Sequence, residues 1–170
     1  NGVGMPDRWN RLWAPHRLEY LRGENRPLDT NDLPCPFCEI PTKDDESSLI
    51  VKRGKHVYAV MNLYPYNPGH MLICTFRHVA DLTELTEDER NEMSSFTAHA
   101  MKTIRKVSNP DGFNLGMNQG AVSGAGVAAH IHQHVVPRWS GDANFMPIIG
   151  HTKVLPELLT DTRTLISKAW

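Results

Sequence analysis

His130-Ile131-His132-Gln133-His134-Val135-Val136 is the stretch whose reading decides the fold. Its three imidazoles fall on every second position, and Pro137 follows. Side chains on an extended chain alternate faces, so His130, His132 and His134 share one side of a strand, with about 6.6 Å between successive Cα atoms. Ile131, Val135 and Val136 predict that the opposite side packs on core, with Gln133 the polar exception. The spacing predicts a last strand over residues 129–136, closed by Pro137. The competing reading, ordinary polar residues on a solvated sheet face, gives the strict alternation no use.

Three imidazoles on one face suit attack at phosphorus. Neutral imidazole is a good nucleophile near pH 7, and the phosphoramidate it forms is labile enough to be cleaved again. His132, flanked by His130 and His134, is the natural attacker, because its neighbours can orient it and meet phosphate oxygens or the leaving group. Upstream, Asn118 and the Gly/Ala/Ser-rich run from Gly120 to Gly126, which includes Ala125, can bring backbone N–H groups close to phosphates.

The remaining elements follow from periodicity and punctuation. Residues 49–53 and 56–61 flank Gly54-Lys55 as strand, two-residue turn, strand, and a third strand is predicted over residues 70–75 after Pro68-Gly69. Thr86 and Glu89 have capping-box spacing, and Met93, Phe96, Ala100, Ile104 and Val107 recur at helical intervals until Asn109-Pro110-Asp111-Gly112. A strand over 113–117 and a C-terminal helix carrying Leu155, Leu158, Leu159, Leu165 and Ile166 complete the set, with a short amphipathic helix expected over 15–22. Strands joined by hairpins, with helices between and outside them, imply an α+β fold with a mainly antiparallel sheet, one long helix and one C-terminal helix.

Composition narrows the function. The 170 residues are 40% hydrophobic and 22% charged, which fits one domain with a single core. A net charge of -1 supplies no basic field, so extended nucleic-acid binding is not expected. No apolar run approaches the roughly 20 residues needed to span a bilayer, and no leader of the secretory type opens the chain, so a cytoplasmic location is expected. An odd count of three cysteines argues against a disulfide framework, and Cys74 reads as a small buried thiol.

The run from His130 to Val136 resembles the His-φ-His-φ-His-φ-φ signature of the histidine-triad (HIT) superfamily, with φ apolar and Gln133 the departure. Asn62-x-x-Pro65, Pro68-Gly69-His70-Met71-Leu72 and Asn118-x-Gly120 resemble its other landmarks, in order. Within it, Leu12-Trp13-Ala14-Pro15-His16-Arg17, Cys35-Pro36-Phe37-Cys38 and Pro137 to Phe145 resemble the actinobacterial diadenosine tetraphosphate phosphorylases. The resemblance implies an N-terminal extension over residues 1–34, a HIT domain over residues 35–170 and a homodimer. It makes His132 the nucleophile and Asn62 a ribose contact. Asn118, the backbone at Ala125-Gly126, His134 and Trp139 would line the phosphate and base region. Relatives commonly carry Ser or Gln where this chain has Gly126, which leaves a backbone N–H in place of a side-chain contact.

Cys35-x-x-Cys38, with His78 and His130 downstream, supplies two sulfurs and two imidazoles, a suitable tetrahedral set for structural zinc. The stretch around His78 is similar to the one providing the third ligand in galactose-1-phosphate uridylyltransferase, a distant relative, where the first triad histidine provides the fourth. The competing reading is a pair of reduced, packed cysteines. No organic cofactor is expected. The resemblance implies a dinucleoside polyphosphate and inorganic phosphate as partners, giving ATP and ADP from diadenosine tetraphosphate. A HIT hydrolase, a nucleoside phosphoramidase and a non-catalytic nucleotide- or zinc-binding module are the alternatives.

Overall fold

The computed structural model describes residues 34–142 and 156–170; the expected 15–22 helix and Leu155 lie outside them. In chain order the elements are a single-turn helix α1 (Pro36–Glu39), β1 (Ile50–Arg53), β2 (Val57–Met61), β3 (Met71–Thr75), the long helix α2 (Glu87–Ser108), β4 (Gly112–Gly116), β5 (His132–Arg138) and α3 (Leu159–Ala169). The strands form one antiparallel sheet in the order β1-β2-β3-β5-β4.

Alternation sorts the central strands onto two cores. Val57, Ala59 and Met61 of β2, Met71 and Ile73 of β3, with Ile131 and Val135, face Met93, Ala100 and Ile104 of α2 and Ile166 of α3. Tyr58 and Val60, Leu72 and Cys74 point the other way, into a smaller cluster with Phe37 and Ile50. Every residue of β2 and β3 is therefore buried, which explains why these strands read as unbroken apolar runs.

The long helix begins where its cap predicts. The Thr86 hydroxyl accepts from the Glu89 N–H at 3.2 Å, and the Glu89 carboxylate accepts from the Thr86 N–H at 2.8 Å. The helix stops at Asn109, which takes a left-handed conformation (φ 44°) and donates its N–H to the Arg105 carbonyl at 3.1 Å, just before Pro110.

Four sequence expectations are corrected. The β1–β2 turn holds three residues, 54–56, because the Glu92 carboxylate accepts from the Lys55 and Val57 N–H groups at 2.9 and 3.0 Å and from that of His56 between them. Strand β5 begins at His132 rather than residue 129, since the ladder with β3 opens at Cys74↔His132 and the Ile131 N–H bonds instead to the Val79 carbonyl at 2.7 Å. It also runs through Pro137 to Arg138. The β3 ladder has already ended at Met71↔Val135, so proline interrupts no bond there, and its carbonyl accepts from Asn67 Nδ2 at 2.9 Å. By the same alternation Val136 lies on the histidine side, not with Ile131 and Val135.

Gly54 is dictated by crowding: a Cβ there would stand 2.7 Å from Glu92 Oε1 and 2.9 Å from Phe96. Gly54→Ala is expected to displace Glu92 from the turn and lower stability by about 1–3 kcal/mol. Urea unfolding of the two proteins measures this, and equal midpoints would contradict it.

Candidate functional site

The β3–β5 register decides which side chains meet. Cys74 lies opposite His132 and Leu72 opposite His134, so both triad histidines stand on the face away from α2. His132 is 5% exposed and lies 5.0 Å, centroid to centroid, from His134.

Backbone carbonyls fix the protons. His132 Nδ1 is 2.9 Å from the His130 carbonyl oxygen, which can only accept, so Nδ1 carries the hydrogen and Nε2 keeps its lone pair. Burial pulls the His132 imidazolium below its ordinary range, leaving the ring neutral at pH 7. His134 is held differently. The Tyr66 N–H donates to His70 Nδ1 at 3.0 Å, so His70 Nε2 carries the hydrogen and donates to His134 Nδ1 at 2.9 Å. His134 consequently bears its proton on Nε2. Burial, followed by the neighbouring His132, lowers its value to about 4. The site thus contains a neutral acceptor nitrogen on one imidazole beside a neutral donor nitrogen on the next, a pair suited to attack at phosphorus and to hydrogen-bonding the leaving oxygen.

His130 is turned elsewhere. Its Nε2 donates to the Thr75 carbonyl at 2.9 Å, so Nδ1 presents a lone pair, 3.4 Å from Cys35 Sγ and 3.5 Å from Cys38 Sγ. Cys38 Sγ also lies 3.3 Å from His78 Nδ1. One ligand atom from each of Cys35, Cys38, His78 and His130 falls within 4.8 Å of the others, a group that could hold a metal ion. Burial brings His130 down to about 4, so it is uncharged as a ligand must be. With both ring nitrogens engaged, His130 serves the neighbouring His132 through its backbone carbonyl.

The other expected residues divide. The Asn62 side-chain nitrogen approaches His70 Nδ1 at 3.3 Å, and its oxygen accepts from the Tyr64 N–H at 3.0 Å, which places Asn62 beside the His70–His134 pair. Gly120 (φ 76°) opens the turn after Asn118. Its conformation rather than crowding calls for glycine, since a Cβ would meet nothing within 4 Å. Ala125 is buried and Gly126 exposed, and Val127 packs on the cluster containing Phe37, which returns this loop to the histidine face. Trp139 is not brought to His132 within the chain. It follows the far end of β5, on the order of 20 Å along the strand. Its indole N–H points to the Ser108 carbonyl, 3.4 Å away at the end of α2.

In the sequence His70 falls in a landmark without a role, Glu89 carries only its capping-box spacing, and Glu92 carries none. A histidine entering an apolar strand was the available signal for the first. Nothing local signals the long-range contacts of the two acids. Glu92 clasps the β1–β2 turn, while Glu89 accepts two bonds from Arg77, at 2.9 and 2.7 Å, next to His78. Of the other histidines, His56 approaches Asp88 and His99 lies against Trp170.

The HIT domain sequence profile matches residues 43–141, more than half of the chain. The protein therefore belongs to the HIT-domain family. The AP-4-A phosphorylase of Mycobacterium tuberculosis (strain H37Rv) is 50% identical over 172 residues, covering 99% of this chain and 88% of that protein. The asymmetrical bis(5'-nucleosyl)-tetraphosphatase of Schizosaccharomyces pombe is 33% identical over 95 residues, covering 56% of this chain and 52% of that protein. Among solved structures, a histidine triad nucleotide-binding protein from Sulfolobus tokodaii superposes with a TM-score of 0.65 at 24% identity, covering 79% of this chain and 91% of its own. A zinc-bound histidine triad protein from Mycobacterium smegmatis gives 0.63 at 23%, over 79% and 91%. These two likenesses establish the fold. Among the described residues no helix is long and apolar enough to cross a membrane.

The Arg77–Glu89 pair sets an acid limb for stability. Hydrogen bonding from Arg77 holds the Glu89 carboxyl at about 2, against an ordinary 4.5. The folded value is the depressed one, so the contribution is complete above about pH 4.5 and disappears as pH falls toward 2. Glu89→Gln is expected to flatten the loss of thermal stability between pH 5 and 3, tracked by circular dichroism; parallel curves for both proteins would refute it.

Proposed function

We propose that this protein is a nucleotidyltransferase that cleaves dinucleoside polyphosphates through a nucleotidyl-His132 intermediate, with inorganic phosphate as acceptor. The observation that carries the reading is the proton arrangement: Nδ1–H of His132 tied to a carbonyl, and the proton of His134 placed on Nε2 by His70. In the first step the His132 Nε2 lone pair attacks the α-phosphorus. The P–O bond to the departing nucleoside polyphosphate breaks, and its oxygen leaves as a phosphate anion that accepts a hydrogen bond from His134 Nε2–H. In the second, a phosphate oxygen attacks the same phosphorus, the P–N bond breaks, and His132 returns to its starting form. Diadenosine tetraphosphate then yields ATP and, after phosphate attack, ADP.

The relative at 50% identity, an AP-4-A phosphorylase, supports phosphate over water as acceptor, and the yeast tetraphosphatase defines the hydrolytic alternative. Asn62 is assigned to the ribose, and Asn118, Gly120, Ala125 and Gly126 to the phosphates. The Trp139 contact to the base region rests on resemblance alone, because its indole faces Ser108. Family membership is also the ground for expecting a cytoplasmic homodimer, with residues 1–34 as an extension to the domain.

Zinc is the metal proposed for Cys35, Cys38, His78 and His130. Tetrahedral zinc with bonds of about 2.3 Å to sulfur and 2.0 Å to nitrogen holds S and N about 3.5 Å apart. The S–N separations here are 3.3, 3.4 and 3.5 Å, so the donor set fits. Zinc would supply cross-linking of α1 to the segments carrying His78 and His130 and take no part in bond making.

His132→Gly is expected to cut turnover by about three orders of magnitude or more while leaving nucleotide affinity close to wild type. A protein with no turnover to lose is a binding module. Chromatography of products from diadenosine tetraphosphate and phosphate should show ATP and ADP; AMP with ATP would make it a hydrolase, and faster cleavage of AMP–amine bonds a phosphoramidase. Plasma emission analysis of protein purified without added metal should find about one zinc per chain, lost in Cys38→Ser. Clearly substoichiometric zinc in the wild type removes that assignment.

A further inference from the structure

Between the two sulfurs of the C-x-x-C knuckle stands Phe37, and its ring lies against the nucleophile. The Phe37 and His132 centroids are 4.8 Å apart with planes at 44°, and Phe37 meets His130 edge-on at 5.7 Å and 72°. Phe37 is 8% exposed, and its carbonyl accepts from the hydroxyl of the fully buried Tyr58 at 2.7 Å. His134 contacts His132 as well, at 5.0 Å and 63°. A single Nδ1–H···O bond lets an imidazole tilt about the bond axis. A ring held against its face removes that freedom.

What holds Phe37 is α1, which begins directly after Cys35 and contains Cys38. A four-residue helix has no stability of its own. Tyr58 fastens one carbonyl of it, and the sulfurs on either side of Phe37 face His130 and His78.

We propose that Phe37 is a positioning residue: metal bound by Cys35, Cys38, His78 and His130 fixes α1, and through the Phe37 ring fixes the His132 imidazole with Nε2 aimed at the α-phosphorus. The proposal rests on the nucleotidyl-histidine reading above. It makes the metal centre a determinant of the rate of attack as well as of folding. A purely structural role would place Phe37 in the core, with no privileged effect on His132.

The test uses the metal-loaded protein and its Phe37→Leu and Phe37→Tyr variants. Leucine keeps an apolar side chain without the ring plane, whereas tyrosine keeps the plane. With diadenosine tetraphosphate and phosphate, Phe37→Leu is expected to lower kcat about tenfold or more with KM unchanged and metal content intact, and Phe37→Tyr to restore most of it. In long-range proton–nitrogen spectra the His132 ring should show one Nδ1–H form in the wild type. Its signals should broaden both in Phe37→Leu and in wild type stripped with a chelator. Wild-type kcat and His132 signals in Phe37→Leu, or unchanged signals after stripping, would overturn the proposal. If Phe37→Leu does not fold, the stripped wild type decides it. Absence of turnover in the wild type would instead defeat the functional reading, while the spectra still report on positioning.

Discussion

The antiparallel pairing of β3 with β5, in the register that sets Cys74 opposite His132 and Leu72 opposite His134, is the constraint from which the site follows. A slip of one residue would turn His132 and His134 toward α2 and expose Ile131 and Val135, exchanging an apolar core for imidazoles. The hydrophobic requirement of the α2 face therefore holds the histidine face in place. The same pairing leaves Pro137 beyond the end of β3, where its missing N–H interrupts no ladder bond.

On that face each imidazole acquires a proton position from a different neighbour. His130 donates to the Thr75 carbonyl and turns its other nitrogen to the sulfurs, His132 donates to the His130 carbonyl, and His134 accepts from His70. Three chemically identical side chains thereby present a lone pair to two sulfurs, a free acceptor nitrogen and a free donor N–H, respectively. Burial favours the neutral form in all three. Phe37 touches both His130 and His132, so the Cys/His cluster and the His132–His134 pair form one packed unit.

Much of this was legible in the chain itself. Alternation in residues 130–136, the capping box at Thr86 and Glu89, and the Asn109-Pro110 stop are local signals, and local backbone chemistry fixes them whatever the surroundings. The C-x-x-C spacing pointed to the Cys/His cluster that the structure assembles. Other features had no local signal. Nothing near Glu92 shows that its carboxylate, 35 residues from Val57, shapes the β1–β2 turn. Nor does the region after β5 show that the Trp139 indole faces the end of α2.

The sequence by itself determined that an extended segment would carry three imidazoles on one side, that a long capped helix would cover an antiparallel sheet, and that two thiols would sit together in a knuckle. These follow from short-range periodicity and turn chemistry. Only the tertiary structure decided which nitrogen of each imidazole bears the hydrogen, that His70 completes the set from another strand end, and that Phe37 lies against His132. Those outcomes depend on atoms brought within about 3–5 Å from segments distant along the chain, and such proximity is created by packing, which no local pattern encodes.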